Sequence, residues 1–141
     1  MLILKVCIIV AQTANKKTFN MVELNQLLLE FESNLTWEAV TKEWKELRDS
    51  WVSKVQAAVE PSQLAEYLIE LESDIQWEAV QNYWKLCRES WVEDCHSAST
   101  LEEVSSLLLE LESNTTWEVL SDEWQEIREN WVQQVYEFND E

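Results

Sequence analysis

The sequence predicts an all-α fold in which three 40-residue helical hairpins stack as a tandem α-α solenoid. Its tryptophans recur at a seven-residue spacing and a forty-residue offset, and residues 21–60, 61–100 and 101–140 align without a gap. The chain contains no glycine, where roughly 7% is usual, so tight turns between strands are disfavoured. We expect one cooperative domain of three repeats (21–60, 61–100 and 101–141) that follows an apolar and basic segment at residues 1–20.

The first helix of each repeat is predicted from leucine-rich positions at helical spacing, such as Leu24, Leu28 and Phe31 in the first copy. Each copy has a polar residue just before this pattern, at Asn20, Glu60 and Thr100, with Glu or Gln three residues later. Thr100 with Glu103 has the form of a capping box, and Pro61 suits a first helical position. The polar segment at 33–36 and its two counterparts predict a break after the helix.

The second helix of each repeat is predicted to begin at the first tryptophan of its copy, and in the first repeat it extends to about residue 58. Its tryptophans drift only about 20° per heptad around such a helix, so we expect three indoles along each seam. Core packing is the preferred interpretation, and an aromatic groove for an apolar ligand or peptide is the alternative. The predicted core tryptophans are Trp37, Trp44, Trp51, Trp77, Trp84, Trp91, Trp117, Trp124 and Trp131.

One arginine recurs in each copy, at Arg48, Arg88 and Arg128, four residues after the middle tryptophan. A guanidinium there can stack on an indole and pair with a glutamate of the facing helix. We expect a structural role rather than an anion clamp. The neighbouring acids Glu30 and Glu32 are interpreted as part of a solvated face, because residues two apart on a helix point to different sides.

The charge balance points to a basic partner. The chain has 28 acidic and ten basic residues, for a net charge of −18, which disfavours direct binding to nucleic acid. Residues 101–141 carry twelve acids and only Arg128 as a base. We therefore expect a basic protein or peptide to contact the third repeat, through the candidate acidic residues Glu110, Glu112, Glu118, Asp122, Glu123 and Glu126.

The sequence offers little for catalysis or for cofactor chemistry. Without glycine there is no dinucleotide-binding or P-loop fingerprint, and the single histidine, His96, leaves no repeated nucleophile–base pair. Cys87 and Cys95 occupy positions that require small apolar side chains and are predicted to be reduced thiols, too far apart on one helix for a disulfide. We expect no enzyme activity, no cofactor and no metal site.

Residues 1–14 leave the compartment open. They are apolar and end in small residues like a secretory signal, but they are interrupted by Lys5 and are too short to span a bilayer. Asn34 and Asn114 begin glycosylation sequons, whereas the second repeat has Asp74 at that position, which can only cap a helix. An intracellular, nuclear location and a secreted one both remain, and residues 1–14 could instead cover the first repeat.

The second repeat carries a motif, Pro61-Ser62-Gln63-Leu64-Ala65 followed by Leu68, Leu71-Glu72, Ile75 and Trp77-Glu78, with Arg88 further on. It resembles the WHIM3 or WSD motif of the BAZ and ACF subunits of ISWI-type chromatin remodellers. That resemblance implies a helical, non-enzymatic docking element in a chromatin-remodelling assembly. It covers about 25 residues per copy, and copies one and three lack the proline.

Three hypotheses follow for function. The first is a non-catalytic, acidic helical-repeat module that binds a basic partner, with a chromatin-associated assembly as its setting. The second is a secreted structural protein or a carrier of an apolar ligand. The third is an acidic mimic of DNA. The open ends of a solenoid would also offer surfaces for a homo-oligomer.

Overall fold

The computed structural model describes residues 21–140, with side chains to residue 138. Helix α1 spans 21–33, and the others are α2 (Lys42–Ala57), α3 (Pro61–Ser73), α4 (Asn82–Ser97), α5 (Leu101–Ser113) and α6 (Asp122–Tyr136). Short 3-10 helices lie at Trp37–Ala39, Trp77–Ala79, Trp117–Val119 and Glu137–Asp140. No strand occurs in this part of the chain. The predicted all-α fold of three tandem helical hairpins is confirmed.

The first helices of the second and third repeats both begin at capping boxes, and the one at Thr100 was predicted from the sequence. In α5 the Thr100 hydroxyl accepts a hydrogen bond from the Glu103 N–H at 3.1 Å, and the Glu103 carboxylate accepts one from the Thr100 N–H at 3.1 Å. In α3, Gln63 accepts from the Glu60 N–H at 3.0 Å, with Pro61 at the first helical position. Asn20, the corresponding cap of α1, lies outside the described residues.

The second helices start later than the sequence predicts. Trp37 lies in a 3-10 helix, Val40 is extended, and α2 begins only at Lys42, where the Thr41 hydroxyl accepts from the Trp44 N–H at 3.3 Å. The prediction of one helix from Trp37 onward is therefore wrong. The physical reason is a partner distant in sequence, because the extended backbone around Val40 pairs with the next repeat.

This pairing is a short β-bridge, and it occurs three times. Val40 bridges to Ile75, and Val80 bridges to Thr115. The third bridge joins Leu35 to Leu120, which connects the third repeat back to the first. The flanking backbone hydrogen bonds are equivalent in all three places, with N···O distances of 2.8–2.9 Å: Thr41 to Asp74, Gln81 to Asn114, Ser121 to Asn34, Gln76 to Ala39, Thr116 to Ala79, and Thr36 to Val119.

The indole hydrogen bonds connect the three repeats in the same order as the β-bridges. Trp51 donates from Nε1 to the carbonyl of Tyr67 at 2.9 Å, Trp91 to Leu107 at 3.0 Å, and Trp131 to Leu27 at 2.9 Å. The last bond again joins the third repeat to the first. Repetition of one heterologous interface with a rotation that closes produces a ring. The three hairpins therefore form a closed ring, and the open solenoid ends invoked for a homo-oligomer do not exist among the described residues.

The first helices supply most of the core. Helix α3 has six buried residues, whereas α4 has three. Helices α3 and α5 also contact each other directly. Within each hairpin the middle and last tryptophans meet edge to face, with ring centroids 5.0–5.1 Å apart. Phe31 adds a contact to Trp124 and to Trp131 at 5.9 Å each. These aromatic pairs place the hydrophobic core between repeats as well as within them.

Closure makes a prediction about stability. Trp51→Phe, Trp91→Phe and Trp131→Phe each remove one indole hydrogen bond and leave a small cavity, so each should lower the free energy of unfolding by about 2 kcal/mol. The losses should be similar, because all three bonds cross an equivalent interface. Urea denaturation of the three variants measures this. In an open stack Trp131 would have no neighbouring repeat, so a much smaller loss for Trp131→Phe would contradict the ring.

Candidate functional site

Each repeat contains a buried glutamate that binds a tryptophan and an arginine together. Glu32 is only 4% exposed and accepts from Trp44 Nε1 at 2.9 Å, from Arg48 Nε at 2.7 Å and from Arg48 Nη2 at 2.8 Å. Glu112 accepts the same three bonds from Trp124 and Arg128. Glu72 accepts from Trp84 Nε1 and Arg88 Nε, and its second carboxylate oxygen is buried without a hydrogen-bond partner. The hydrogen bonds that the three arginines donate to these carboxylates raise the pKa of each guanidinium.

Two interpretations of these acids are therefore wrong. Glu32 does not belong to a solvated face, and Glu112, at 2% exposure, cannot be part of a partner surface. The physical reason is that a buried carboxylate needs donors, and the facing helix supplies an indole N–H and a guanidinium. The signal in the sequence was the recurrence of this glutamate in every copy with an arginine sixteen residues later.

The first tryptophan of each repeat is exposed instead of buried. Trp37, Trp77 and Trp117 are 50–55% exposed, whereas the other six are at most 2% exposed. Each exposed indole has a cation over its ring: Lys45 over Trp37 at 5.4 Å, Lys85 over Trp77 at 5.8 Å and Arg128 over Trp117 at 5.7 Å. The prediction that these three tryptophans belong to the core is wrong. They lie in the 3-10 helices and not on the long helices, so they do not share the buried face of the other six.

The third repeat carries an acidic surface at the start of α6. We use that name for Glu118, Asp122, Glu123 and Glu126, all of which are exposed. Glu110, the remaining candidate, is also exposed but lies on α5. In the first repeat the positions of Asp122 and Gln125 are occupied by Lys42 and Lys45, both exposed. Glu118, Glu123 and Glu126 have exposed counterparts in Glu38, Glu43 and Glu46 of the first repeat, so what distinguishes the third repeat is that no lysine lies among its acids.

A second acidic feature is a groove between α4 and α5. It has a volume of about 400 Å³ and is lined by Asp94, Ser97, Glu102, Glu103, Ser106, Leu107 and Glu110. None of these residues is basic. The pKa of Glu110 is raised, first by partial desolvation against the groove and then by the charge of Asp94. The pKa of Glu103 is lowered, chiefly by the hydrogen bond from the Ser99 N–H.

The two described cysteines are free thiols on α4. Cys95 is buried, and burial raises the pKa of its thiol to about 12, with a smaller contribution from the charge of Asp94. Cys87 is half-buried. Across residues 21–140 no group of three or more His, Cys, Asp or Glu side chains is arranged to hold a metal ion.

The sequon asparagines serve the fold. The side-chain nitrogen of Asn34 donates to the Glu30 carbonyl at 2.8 Å, and that of Asn114 donates to the Glu110 carbonyl at 2.9 Å. Asn34 also accepts from the Ser121 hydroxyl at 2.5 Å, across the junction of the first and third repeats. Asp74 accepts from the Thr41 hydroxyl at 2.7 Å in the same way. A glycan would have to be attached at nitrogen atoms that these contacts use.

A closed, acidic ring of helical hairpins with exposed tryptophans is the class of structure that these observations define. Comparison with protein families then gives the particular assignment. The model for a domain of unknown function, DUF8799, matches residues 19–76 and again residues 66–114. Together the two matches cover more than half of the chain, so the protein belongs to this family. Each match crosses a repeat boundary, in keeping with a unit that includes an interface between repeats.

Neither the curated proteins nor the solved structures include a match to this chain. Within the part of the chain that is described, the helices are all too short or too polar to cross a membrane.

The buried carboxylate clusters predict a non-additive effect on stability. Arg88→Met leaves the Glu72 carboxylate buried without its cation and should cost about 3 kcal/mol of unfolding free energy. Adding Glu72→Gln should recover part of this loss, because a neutral amide oxygen still accepts from Trp84. A double-mutant cycle by urea denaturation tests the coupling. If Arg88→Met and the double variant were equally unstable, the buried charge would not be what Arg88 compensates.

The Cys95 thiol predicts selective chemical protection. Its folded pKa lies above its unfolded one, so its contribution to stability is fully present below the thiol's ordinary pKa and is lost only as the pH rises toward about 12. In a Cys7→Ser chain at pH 8, iodoacetamide should label Cys87 and leave Cys95 unmodified until the protein unfolds. Mass spectrometry of the labelled peptides measures this, and rapid native labelling of Cys95 would contradict its burial.

Proposed function

We propose that this protein is a non-catalytic interaction module that binds a basic protein or peptide through the acidic surface of its third repeat. The observation that carries the proposal is the difference between equivalent positions of one fold. Where the first repeat exposes Lys42 and Lys45, the third exposes Asp122 and Gln125. Among the described residues, the exposed carboxylates of Glu118, Asp122, Glu123 and Glu126 then have no lysine of their own repeat beside them.

Folding alone does not account for these acids. Carboxylates in the first turn of a helix are favourable with the helix dipole, and Asp122 and Glu123 occupy that turn of α6. Helix α2, however, starts with Lys42 at the equivalent position and has the same cap geometry. The helix therefore forms with either charge at this position, so folding does not require the Asp122 carboxylate and it is available for recognition.

The exposed indole of Trp117 supports the same surface. It precedes Glu118 directly and is 51% exposed. Aromatic side chains are enriched where proteins bind each other, and an indole face attracts a lysine or an arginine. Arg128 already lies over this ring at 5.7 Å, which illustrates the type of group that the surface accepts. An apolar anchor surrounded by carboxylates suits a basic partner better than a purely acidic or a purely apolar ligand.

A chromatin-associated assembly is the setting that we propose for this partner, on the WSD resemblance of the second repeat. Most residues of that motif have packing roles here. Pro61, Leu64, Leu68 and Leu71 are buried in α3, and Glu72 is the buried acceptor for Trp84 and Arg88. The proposal for the partner's charge therefore rests on the acidic surface and is independent of the motif.

The test is a charge exchange between equivalent positions. The Asp122→Lys/Gln125→Lys variant gives the third repeat the residues of the first, and the Lys42→Asp/Lys45→Gln variant does the reverse. Binding of a short fluorescent peptide rich in lysine and arginine is measured by anisotropy at about 0.05 M and about 0.3 M salt. The first variant should lose affinity about tenfold, the second should gain, and wild-type binding should weaken with salt.

Circular dichroism and thermal melting serve as the folding control for both variants. An acidic peptide of equal length serves as the ligand control. If the wild-type protein retained no basic peptide at either salt concentration, or if both exchanges left the affinity unchanged, the proposal would be overturned.

A further inference from the structure

The ring repeats one interface between α-helices, and the residues at one pair of positions in it change from copy to copy. The pair consists of a residue in the last turns of a second helix and a glutamate on the first helix of the next repeat. It is Lys54 with Glu70 between the first two repeats, and Asp94 with Glu110 between the second and third. Where the third repeat meets the first, Gln134 and Glu30 line a common groove. The glutamate is constant and its partner is not.

The first interface shows how a cation occupies this place. The Lys54 ammonium lies 3.4 Å from the Glu70 carboxylate and 5.7 Å from the centre of the Tyr67 ring. Lys54 is also in the last turn of α2, where a positive charge is favourable with the helix dipole. The lysine therefore satisfies the carboxylate, the ring and the helix end together.

The second interface lacks that cation. Asp94 replaces the lysine near the end of α4, where a negative charge is unfavourable, and it faces Glu110 across the groove. Leu107 replaces the larger Tyr67, and Glu102 and Glu103 add two more carboxylates. The groove thus combines like charges and an unfavourable helix end, and a departure from local stability rules of this kind is typical of a functional position.

We propose that the groove between α4 and α5 binds a lysine or arginine side chain of the basic partner, in the place that Lys54 takes in the preceding interface. The inference rests on the proposed function and names a contact within it. Two independent observations support it: the groove has room for a long side chain, about 400 Å³, and the equivalent place in the same ring contains a cation.

The experiment places a lysine of the protein itself in the groove. Asp94→Lys copies the first interface, so its ammonium should pair with Glu110, raise the melting temperature and compete with the partner's cation. Affinity for the lysine- and arginine-rich fluorescent peptide should fall about tenfold. Glu110→Gln should also weaken binding, because it removes the constant carboxylate. The reverse change, Lys54→Asp, should create a second anionic groove and increase the amount of peptide bound per chain.

The outcomes separate this inference from the proposed function. If Asp94→Lys and Glu110→Gln bind the peptide as the wild-type protein does while Asp122→Lys/Gln125→Lys loses affinity, the groove is not a contact and the proposed function stands. If the wild-type protein binds no basic peptide, both are overturned. Thermal melting of each variant confirms folding, and Gln134→Lys, which places a lysine at the equivalent position of the third interface, is the control for a lysine added elsewhere in the ring.

Discussion

The structure depends on the interface between successive repeats, which is built from an indole N–H, a backbone carbonyl and a short β-bridge. A single 40-residue hairpin cannot bury its apolar face alone. Each last tryptophan of a repeat therefore donates to the first helix of the next, and the third repeat returns to the first through Trp131 and Leu27. Because this interface occurs three times and leaves no repeat at an end, the terminal capping that open repeat proteins require is replaced by closure.

Much of the fold could be predicted from the sequence, because its signals are local. The capping box of Thr100 and Glu103, the proline at the start of α3 and the polar break after residue 33 all depend on neighbours in the chain. The start of the second helix could not, because Val40 is held extended by Ile75 of the next repeat. The seven-residue spacing of the tryptophans is consistent with one continuous helix, so it gave no warning that Trp37 lies outside it.

The candidate site could likewise be predicted only in part. Net charge placed the acids of the third repeat on the surface, which holds for Glu118, Asp122, Glu123 and Glu126. It could not separate them from Glu112, because a buried glutamate and an exposed one are identical in composition. Recurrence alone does not separate it either, because Glu110 and Glu118 also recur in all three copies, and only the sixteen-residue spacing to the recurrent arginine points to the structural acid. Residues that vary between the copies, such as Lys42 and Asp122, are those with which a partner can tell one repeat from another.

Closure also has a consequence for the order of the hairpins along the chain. Since every junction has the same β-bridge and the same indole hydrogen bond, cutting one link between hairpins while joining 140 to 21 would leave those contacts in place. The ring of residues 21–140 is topologically a circle with an arbitrary starting point. Adding a fourth hairpin by duplication would change the angle at each junction, so the number of copies is fixed by geometry in a way that an open array does not impose.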